Sequence, residues 1–346
     1  MEMNGSTSSH ENHGCAIPTS MAYALITVNS LASLLGTFAN VLVCVAVFKN
    51  SRLQTLTNYF LLSLALADML VTGITQPLFV VRNISFTLQD DCVAPTSTAY
   101  KLSAYFSCMA SILSLTAVSI DRLISLKYPL QKKTMLPKRR GFLLIATTWL
   151  LALSYMAASF FLGESKAWVM TTFVYFGLCY LTMIVTHSYM YVVSHRFVQR
   201  RNLHTRRYSF SMVSYAKERQ AAKTVTIIIA VFTVAWLPYC FGLGFAATSD
   251  WVLKRTLGYP LLTVGLINSS INPLLYSWRN KEFRTTFRQL LKCQDPNLLR
   301  RESVSSFYLS RSRISTVSSL FSECNNLNGN TWTKSTQVVT TKSPDC

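Results

Sequence analysis

Long apolar runs alternate with short basic segments along this chain. Predominantly apolar windows of about 20 residues, enough for a helix to cross a bilayer, lie at Ala22–Phe48, Tyr59–Val81, Ala99–Leu126, Gly141–Leu162, Trp168–Val193, Val225–Ala247 and Leu257–Ser277. The fifth is interrupted by His187 and Ser188. The pattern predicts an all-α fold, a bundle of seven transmembrane helices. Beyond the seventh window, Phe283, Phe287, Leu290 and Leu291 recur at three- and four-residue spacing between Arg284 and Arg288. That periodicity predicts a short amphipathic eighth helix on the cytoplasmic leaflet. From Glu302 the chain is rich in Ser, Thr and Asn without apolar periodicity, the composition of a disordered tail. Three parts follow: an outer N-terminal segment at 1–20, a helical domain at 21–292 that includes the eighth helix, and a tail at 293–346.

Composition supports a membrane protein. Half of the 346 residues are hydrophobic and 14% are charged, whereas soluble domains carry about 25% charged residues. The net charge of +19 gathers in alternate loops, at Lys49 and Arg52, at Lys132 to Arg140, at Arg196 to Arg219 and at Arg279 to Lys292. This asymmetry places the N-terminus outside and the C-terminus in the cytosol. The surplus therefore reads as a topology signal with some attraction to anionic lipid, and not as a nucleic-acid surface. No cleavable signal pattern precedes the first window.

Smaller motifs fit the same orientation. Asn4 and Asn83 stand in glycosylation sequons on the outer side. Cys15 and Cys92 share the oxidising side, and the sequence leaves open whether they pair. Cys293 follows the amphipathic helix, a position that suits palmitoylation and equally a free thiol. The run SVSSFYLSRSRISTVSSLFSE in the tail offers several phosphate acceptors, or simply solvates.

Polar groups inside a span are costly and call for a partner or a role. Asp68 falls mid-span, with Ser111, Asn268 and Asn272 at comparable depth. Two readings stand: an oxygen-rich site for a small hard cation such as sodium, or a hydrogen-bonded network joining helices. Asp121 and Arg122 end the third window, and Pro238 in WLPY and Pro273 in NPLLY each remove a backbone donor inside a helix, which predicts hinges.

Taken together, Asn40, the LALAD stretch ending at Asp68, Asp121-Arg122, Trp149, Trp236 to Pro238 and Asn272-Pro273 with Tyr276 resemble the rhodopsin-like (class A) G-protein-coupled receptors. The match runs from Met21 to Cys293. The resemblance implies a plasma-membrane receptor with an extracellular ligand, a heterotrimeric G protein as partner, and arrestin and receptor kinases acting on the tail. It also implies a lock in which Asp121 and Glu218 hold Arg122 until the sixth helix moves outward. The third letter of the usual triplet is Leu123 here. Ile112 and Phe232 match two members of the family's packing trigger, and Met183 replaces its helix-five proline. Tyr191 is the expected partner of Tyr276 in the active state, with Tyr189 the alternative.

The departures bear on the ligand. No Cys stands at the outer end of the third helix, where Ser97 falls, and only Gly163 to Trp168 separates spans four and five. The family's usual disulfide is therefore absent. The short, Cys-free loop is similar to the melanocortin and cannabinoid branch, while LQTLTNYFLLSLALAD is closer to adenosine and amine receptors. Ala104 replaces the amine-binding carboxylate, and Leu266 replaces the retinal-linking lysine.

The expected pocket comprises Leu78, Phe79, Lys101, Ala104, Tyr105, Cys108, Trp236, Tyr239, Cys240, Leu243, Leu262 and Leu266, mostly apolar walls that suit a lipophilic ligand or a small peptide. Lys101 either pairs with an anionic head group or faces outer water. No cofactor is expected beyond an allosteric sodium ion. No catalytic constellation stands out, so no enzyme is expected. The rival class is a transporter or channel using Asp68, for which an inverted repeat is wanted, and the sequence shows none.

Overall fold

The computed structural model describes residues 18–88, 96–128, 131–163, 165–203, 209–246 and 251–292, some of them by backbone alone. These residues fall in one compact unit. The helices are α1 (Thr19–Lys49), α2 (Leu56–Leu70), α3 (Gln76–Leu88), α4 (Thr96–Lys127), α5 (Lys132–Met135), α6 (Lys138–Leu162), α7 (Lys166–Leu203), α8 (Ser209–Ala246), α9 (Trp251–Arg279) and α10 (Lys281–Leu291). α2 and α3 are one span joined by a π turn at Val71–Thr75, so spans one to seven are α1, α2–α3, α4, α6, α7, α8 and α9. Six of them are long and apolar enough to cross a membrane. The seventh, α9, is less apolar because it carries Thr263, Asn268, Ser269 and Asn272, all buried.

The bundle is apolar outside and partly polar inside. Leu34, Leu35, Phe161 and Val234 are among many large apolar side chains that face outward, while Asn29, Asn40, Asp68, Gln76 and Asn272 are buried. Water would penalise that arrangement, and lipid favours it. Small residues let the helices close up. A Cβ on Gly36 would stand 2.3 Å from Ser270 Oγ, and one on Gly265 3.1 Å from the Trp236 ring. Span one therefore meets span seven closely, and the indole of Trp236 lies against span seven.

The π turn has a local cause. Pro77 has no N–H to offer the carbonyl one turn back, and its ring crowds that turn, so the helix takes up an extra residue just before it. The insertion resets the inward face of the outer half to Gln76, Phe79, Asn83 and Phe86. Asn83 is consequently buried, and its Nδ2 donates to Phe79 O at 2.7 Å. This corrects the glycosylation expectation at Asn83: an amide nitrogen inside a helix bundle offers a glycan no access.

Gly163 ends span four at φ 58°, a left-handed conformation that glycine adopts without strain. Ser165 then accepts the Trp168 N–H at 3.2 Å and starts span five. The turn is shorter than the interval read from sequence, and Trp168 is already helical. Its buried ring packs on Tyr155 and Tyr105 at centroid distances of 4.6 and 5.1 Å.

At the inner end, Asn50 caps the turn after span one by accepting the Arg52 N–H at 3.0 Å, and its Nδ2 donates to Thr286 of α10 at 2.7 Å. Phe283 and Phe287 of α10 are buried, and Phe283 packs against Tyr276 at 6.1 Å. The apolar face of the eighth helix is thus partly used on the bundle, and Leu291, expected on the same face, is exposed.

Candidate functional site

Three groups of polar side chains are stacked through the bundle. The middle one surrounds Asp68, which is fully buried. Ser111 Oγ of span three donates to Oδ1 at 3.0 Å, and Asn272 Nδ2 of span seven donates to Oδ2 at 2.7 Å. The Ser269 hydroxyl is a third hydrogen-bonding neighbour. Asn40 Nδ2 ties span one in by donating to the carbonyls of Gly36 and Ser269, each at 3.0 Å. Trp149 Nε1 donates to Ser63 Oγ at 3.0 Å, which joins span four to span two.

Asn268 was expected in this ring but is not bonded to Asp68. It is buried, and neither of its side-chain polar atoms has a protein partner. Consecutive residues on a helix point about 100° apart, and that rotation turns Ser269, not Asn268, toward the carboxylate. The Oδ1 atoms of Asn40, Asn268 and Asn272 are also buried without protein partners. A buried carboxylate bonded to neutral donors, with amide and hydroxyl oxygens among its neighbours, has the oxygen donor set that a hard cation prefers.

The inner group centres on Asp121, also fully buried. Arg122 Nε donates to Asp121 Oδ2 at 3.1 Å, and Arg122 Nη2 contacts both that oxygen and Thr57 Oγ1. Thr57 Oγ1 donates to Asp121 Oδ2 at 2.9 Å. Lys132, from the α5 turn between spans three and four, reaches Asp121 Oδ1 at 3.2 Å and Thr57 Oγ1 at 2.8 Å. Thr57 and Lys132 were not anticipated. Lys132 read as one of several basic loop residues, and nothing in the sequence singles out Thr57, because only the folded loop brings them together. Glu218 lies on α8, with its side chain outside the described residues.

Between these groups runs the packing that the resemblance implies for activation. Ile112, Met183, Phe232 and Trp236 are all buried. Phe232 lies between Tyr180, at 6.3 Å, and Trp236, at 6.1 Å, and Tyr239 meets Trp236 edge-on at 6.1 Å. α8 continues through Pro238 and α9 through Pro273 as helix.

Tyr191 and Tyr276, expected to meet in the active state, are apart in this conformation. The Tyr191 side chain is 73% exposed and stacks on His195, while Tyr276 is buried with an unpartnered hydroxyl. Without a helix-five proline the span keeps its regular period, so Met190, seven residues after Met183, returns to the inner face, whereas Tyr191 is about 80° round from it. Tyr189, the alternative, also faces outward and lies under Lys127.

His187, noted in the sequence only as an interruption, bridges three spans. Its Nδ1 is 2.9 Å from Thr226 Oγ1 of span six, and its Nε2 is 3.4 Å from Ser119 Oγ of span three.

At the outer end the expected pocket residues divide. Phe79, Trp236, Leu262 and Leu266 are buried as core, with Phe79 packed on Tyr100 and Tyr259 at 5.6 and 5.8 Å. Leu78, Lys101, Ala104, Tyr105, Cys108, Tyr239 and Cys240 are half-buried. Leu243 has its side chain outside the described residues, and Asn4, Cys15, Cys92 and Cys293 lie outside them altogether. Arg82, missed as a scattered outer-loop charge, inserts its guanidinium among Phe86, Tyr100 and Tyr259, at 4.8, 5.1 and 5.4 Å from the ring centroids.

A bundle of long apolar helices with its polar side chains buried inside is that of a multi-pass membrane protein. Comparison with known families makes the assignment firm. Residues 39–276 match the family described as 7 transmembrane receptor (rhodopsin family), and the chain belongs to that family. It is similar to the histamine H2 receptor of Rattus norvegicus, at 28% identity over 85% of each chain. It is also similar to the adenosine receptor A2b of Bos taurus, at 29% identity over 74% of this chain and 86% of the relative. The trace amine-associated receptor 9 of Rattus norvegicus is 27% identical over 80% of this chain and 87% of the relative.

Proposed function

We propose that this G-protein-coupled receptor sits in the plasma membrane with its N-terminus outside. An extracellular ligand drives the inner end of span six outward and so activates a heterotrimeric G protein. The observation that carries this reading is the state of Arg122. It is buried at the inner end of span three and held by Asp121 and Thr57, with Lys132 sharing the same carboxylate. An arginine restrained in this way is released when the inner ends of the spans separate, and becomes available to a cytoplasmic partner. Glu218 supplies the second restraint from span six. Asp68 and its neutral donors form an allosteric sodium site that favours the closed bundle, and the Ser/Thr-rich tail is the substrate of receptor kinases and the docking segment for arrestin.

Two of the relatives are named for amines, histamine and trace amines. Ala104 argues against an amine here, because it replaces the carboxylate that the resemblance expects, and the outer half shows no acidic side chain among the described residues. A lipophilic ligand suits the mostly apolar walls better.

The test is basal G-protein dissociation in cells across the Gα classes, for wild type and Glu218→Ala at matched surface expression. Loss of Glu218 is expected to raise basal activity for at least one class, and adding Arg122→Ala to abolish it. Silence of every class in both forms overturns the lock.

A further inference from the structure

Arg82 is a half-buried cation with an unusual environment. Three aromatic rings surround its guanidinium, and of the five N–H groups an arginine carries one has a hydrogen-bond acceptor, Tyr259 Oη at 3.2 Å. Its Nε is buried with no partner. No carboxylate among the described residues forms an ion pair with it; Asp121, which pairs with Arg122 and Lys132, is at the opposite end. Cation–π contact offsets part of the cost of withdrawing such a charge from water, but rings accept N–H groups poorly, and no anionic group among the described residues balances the charge.

The surroundings say what would compensate it. Arg82 stands one turn outward of Leu78 and Phe79 on span two, Tyr100 brings span three to it, and Tyr259 brings span seven. Tyr259 is one turn outward of Leu262 and Thr263. Its hydroxyl accepts from Arg82, which leaves the phenolic proton free to be donated onward. An anionic oxygen placed there receives N–H groups from Arg82 and an O–H from Tyr259, and one turn below lie the apolar side chains of Leu78, Phe79 and Leu262, beside the buried polar pairs Gln76–Asn29, Asn29–Thr263 and Thr75–Ser107.

We propose that Arg82, assisted by Tyr259, anchors the anionic head of an amphiphilic ligand whose apolar chain enters the outer half of the bundle between spans two, three and seven. The head is a carboxylate or a phosphate, since both match the guanidinium fork. This deepens the receptor reading by naming a ligand class, and it moves the anionic anchor expected at Lys101 to span two.

The experiment measures binding without any G protein, so its failure is distinguishable from failure of the signalling lock. The full-length receptor is placed in nanodiscs of zwitterionic phosphatidylcholine. Thermal unfolding is followed against oleate, oleoyl-lysophosphatidate and methyl oleate, for wild type, Arg82→Gln, Arg82→Lys and Tyr259→Phe. Oleate, lysophosphatidate or both are expected to raise the wild-type midpoint saturably, and methyl oleate to leave it unchanged; the active arm identifies the head group. Arg82→Gln should weaken that response by about ten- to a hundred-fold in concentration. Arg82→Lys keeps the charge without the fork and should retain part of it. Tyr259→Phe keeps the ring and should lose a smaller part. If Arg82→Gln fails to fold, the graded losses in Arg82→Lys and Tyr259→Phe decide the matter. Three outcomes overturn the proposal: no midpoint shift with either anion, an equal shift with the methyl ester, or an undiminished shift in the variants, which would mark Arg82 as a packing residue alone.

Discussion

Two aspartates, Asp68 halfway along span two and Asp121 at the inner end of span three, are equally buried but held in opposite ways. Asp121 has two cations and a hydroxyl on it, Arg122, Lys132 and Thr57. Asp68 has only neutral donors, Ser111, Asn272 and Ser269. Burial alone therefore does not predict a role; the charge of the neighbours does. A carboxylate that already carries its counter-charges works as a restraint whose partners can be traded. A carboxylate whose neighbours are all dipoles has no counter-charge of its own, and when ionised it is open to a mobile cation.

The comparison can be broken most directly at Asp121. Asp121→Ala leaves Arg122 and Lys132 without their shared carboxylate. Removing one side of a buried ion pair costs about 3–5 kcal/mol, so a large drop in the thermal midpoint of purified receptor is expected, together with raised basal signalling. An unchanged midpoint would show that Thr57 and water suffice.

A smaller effect is expected at His187, which ties span five to spans three and six. Ser119 Oγ donates its proton to Leu115 O at 2.9 Å, and Thr226 Oγ1 donates to Ala222 O at 3.1 Å. Both hydroxyls therefore present lone pairs to the ring, and a neutral imidazole has one N–H to give. The shorter contact, to Thr226, should take it. In a double-mutant cycle read by thermal unfolding, His187→Phe with Thr226→Val should couple by about 1 kcal/mol, and His187→Phe with Ser119→Ala by less. Equal or reversed couplings would reassign the bond.

At Asp68 the expected signature is an ion response. Asp68→Asn keeps a polar group among the same neutral donors, so stability in choline chloride should change by no more than about 1 kcal/mol. The stabilisation that wild type gains when sodium replaces choline should vanish. A sodium response that survives in Asp68→Asn would place the cation elsewhere and erase the contrast between the two aspartates.

The smallest effect is expected at Lys132, whose side chain is 22% exposed. Solvent screens it, and Lys132→Ala should cost less than about 1 kcal/mol. A loss comparable to that at Asp121 would make Lys132, and not Arg122, the principal partner of the carboxylate.

The sequence by itself determined the spans, their number, the amphipathic helix after span seven, and the spaced residues that identify the family. Each of these is local. A helix crosses the membrane because about 20 successive residues are apolar, whatever lies beside it, and basic loops report topology without reference to packing.

The tertiary structure alone decided which polar group meets which. Ser269 takes the place expected of Asn268, and in this conformation Met190 faces inward and Tyr191 outward, because one residue of helix is a rotation of about 100°, finer than any apolar window resolves. Pro77 was visible in the chain and is the local cause of the π turn before it, but the burial of Asn83 that follows depends on how span two closes against its neighbours. Arg82 among its rings, and Thr57 and Lys132 on Asp121, arise from residues far apart in the chain whose side chains converge only when the helices pack. Local hydropathy fixes where the helices are; the partners of their charges are a property of the packed bundle.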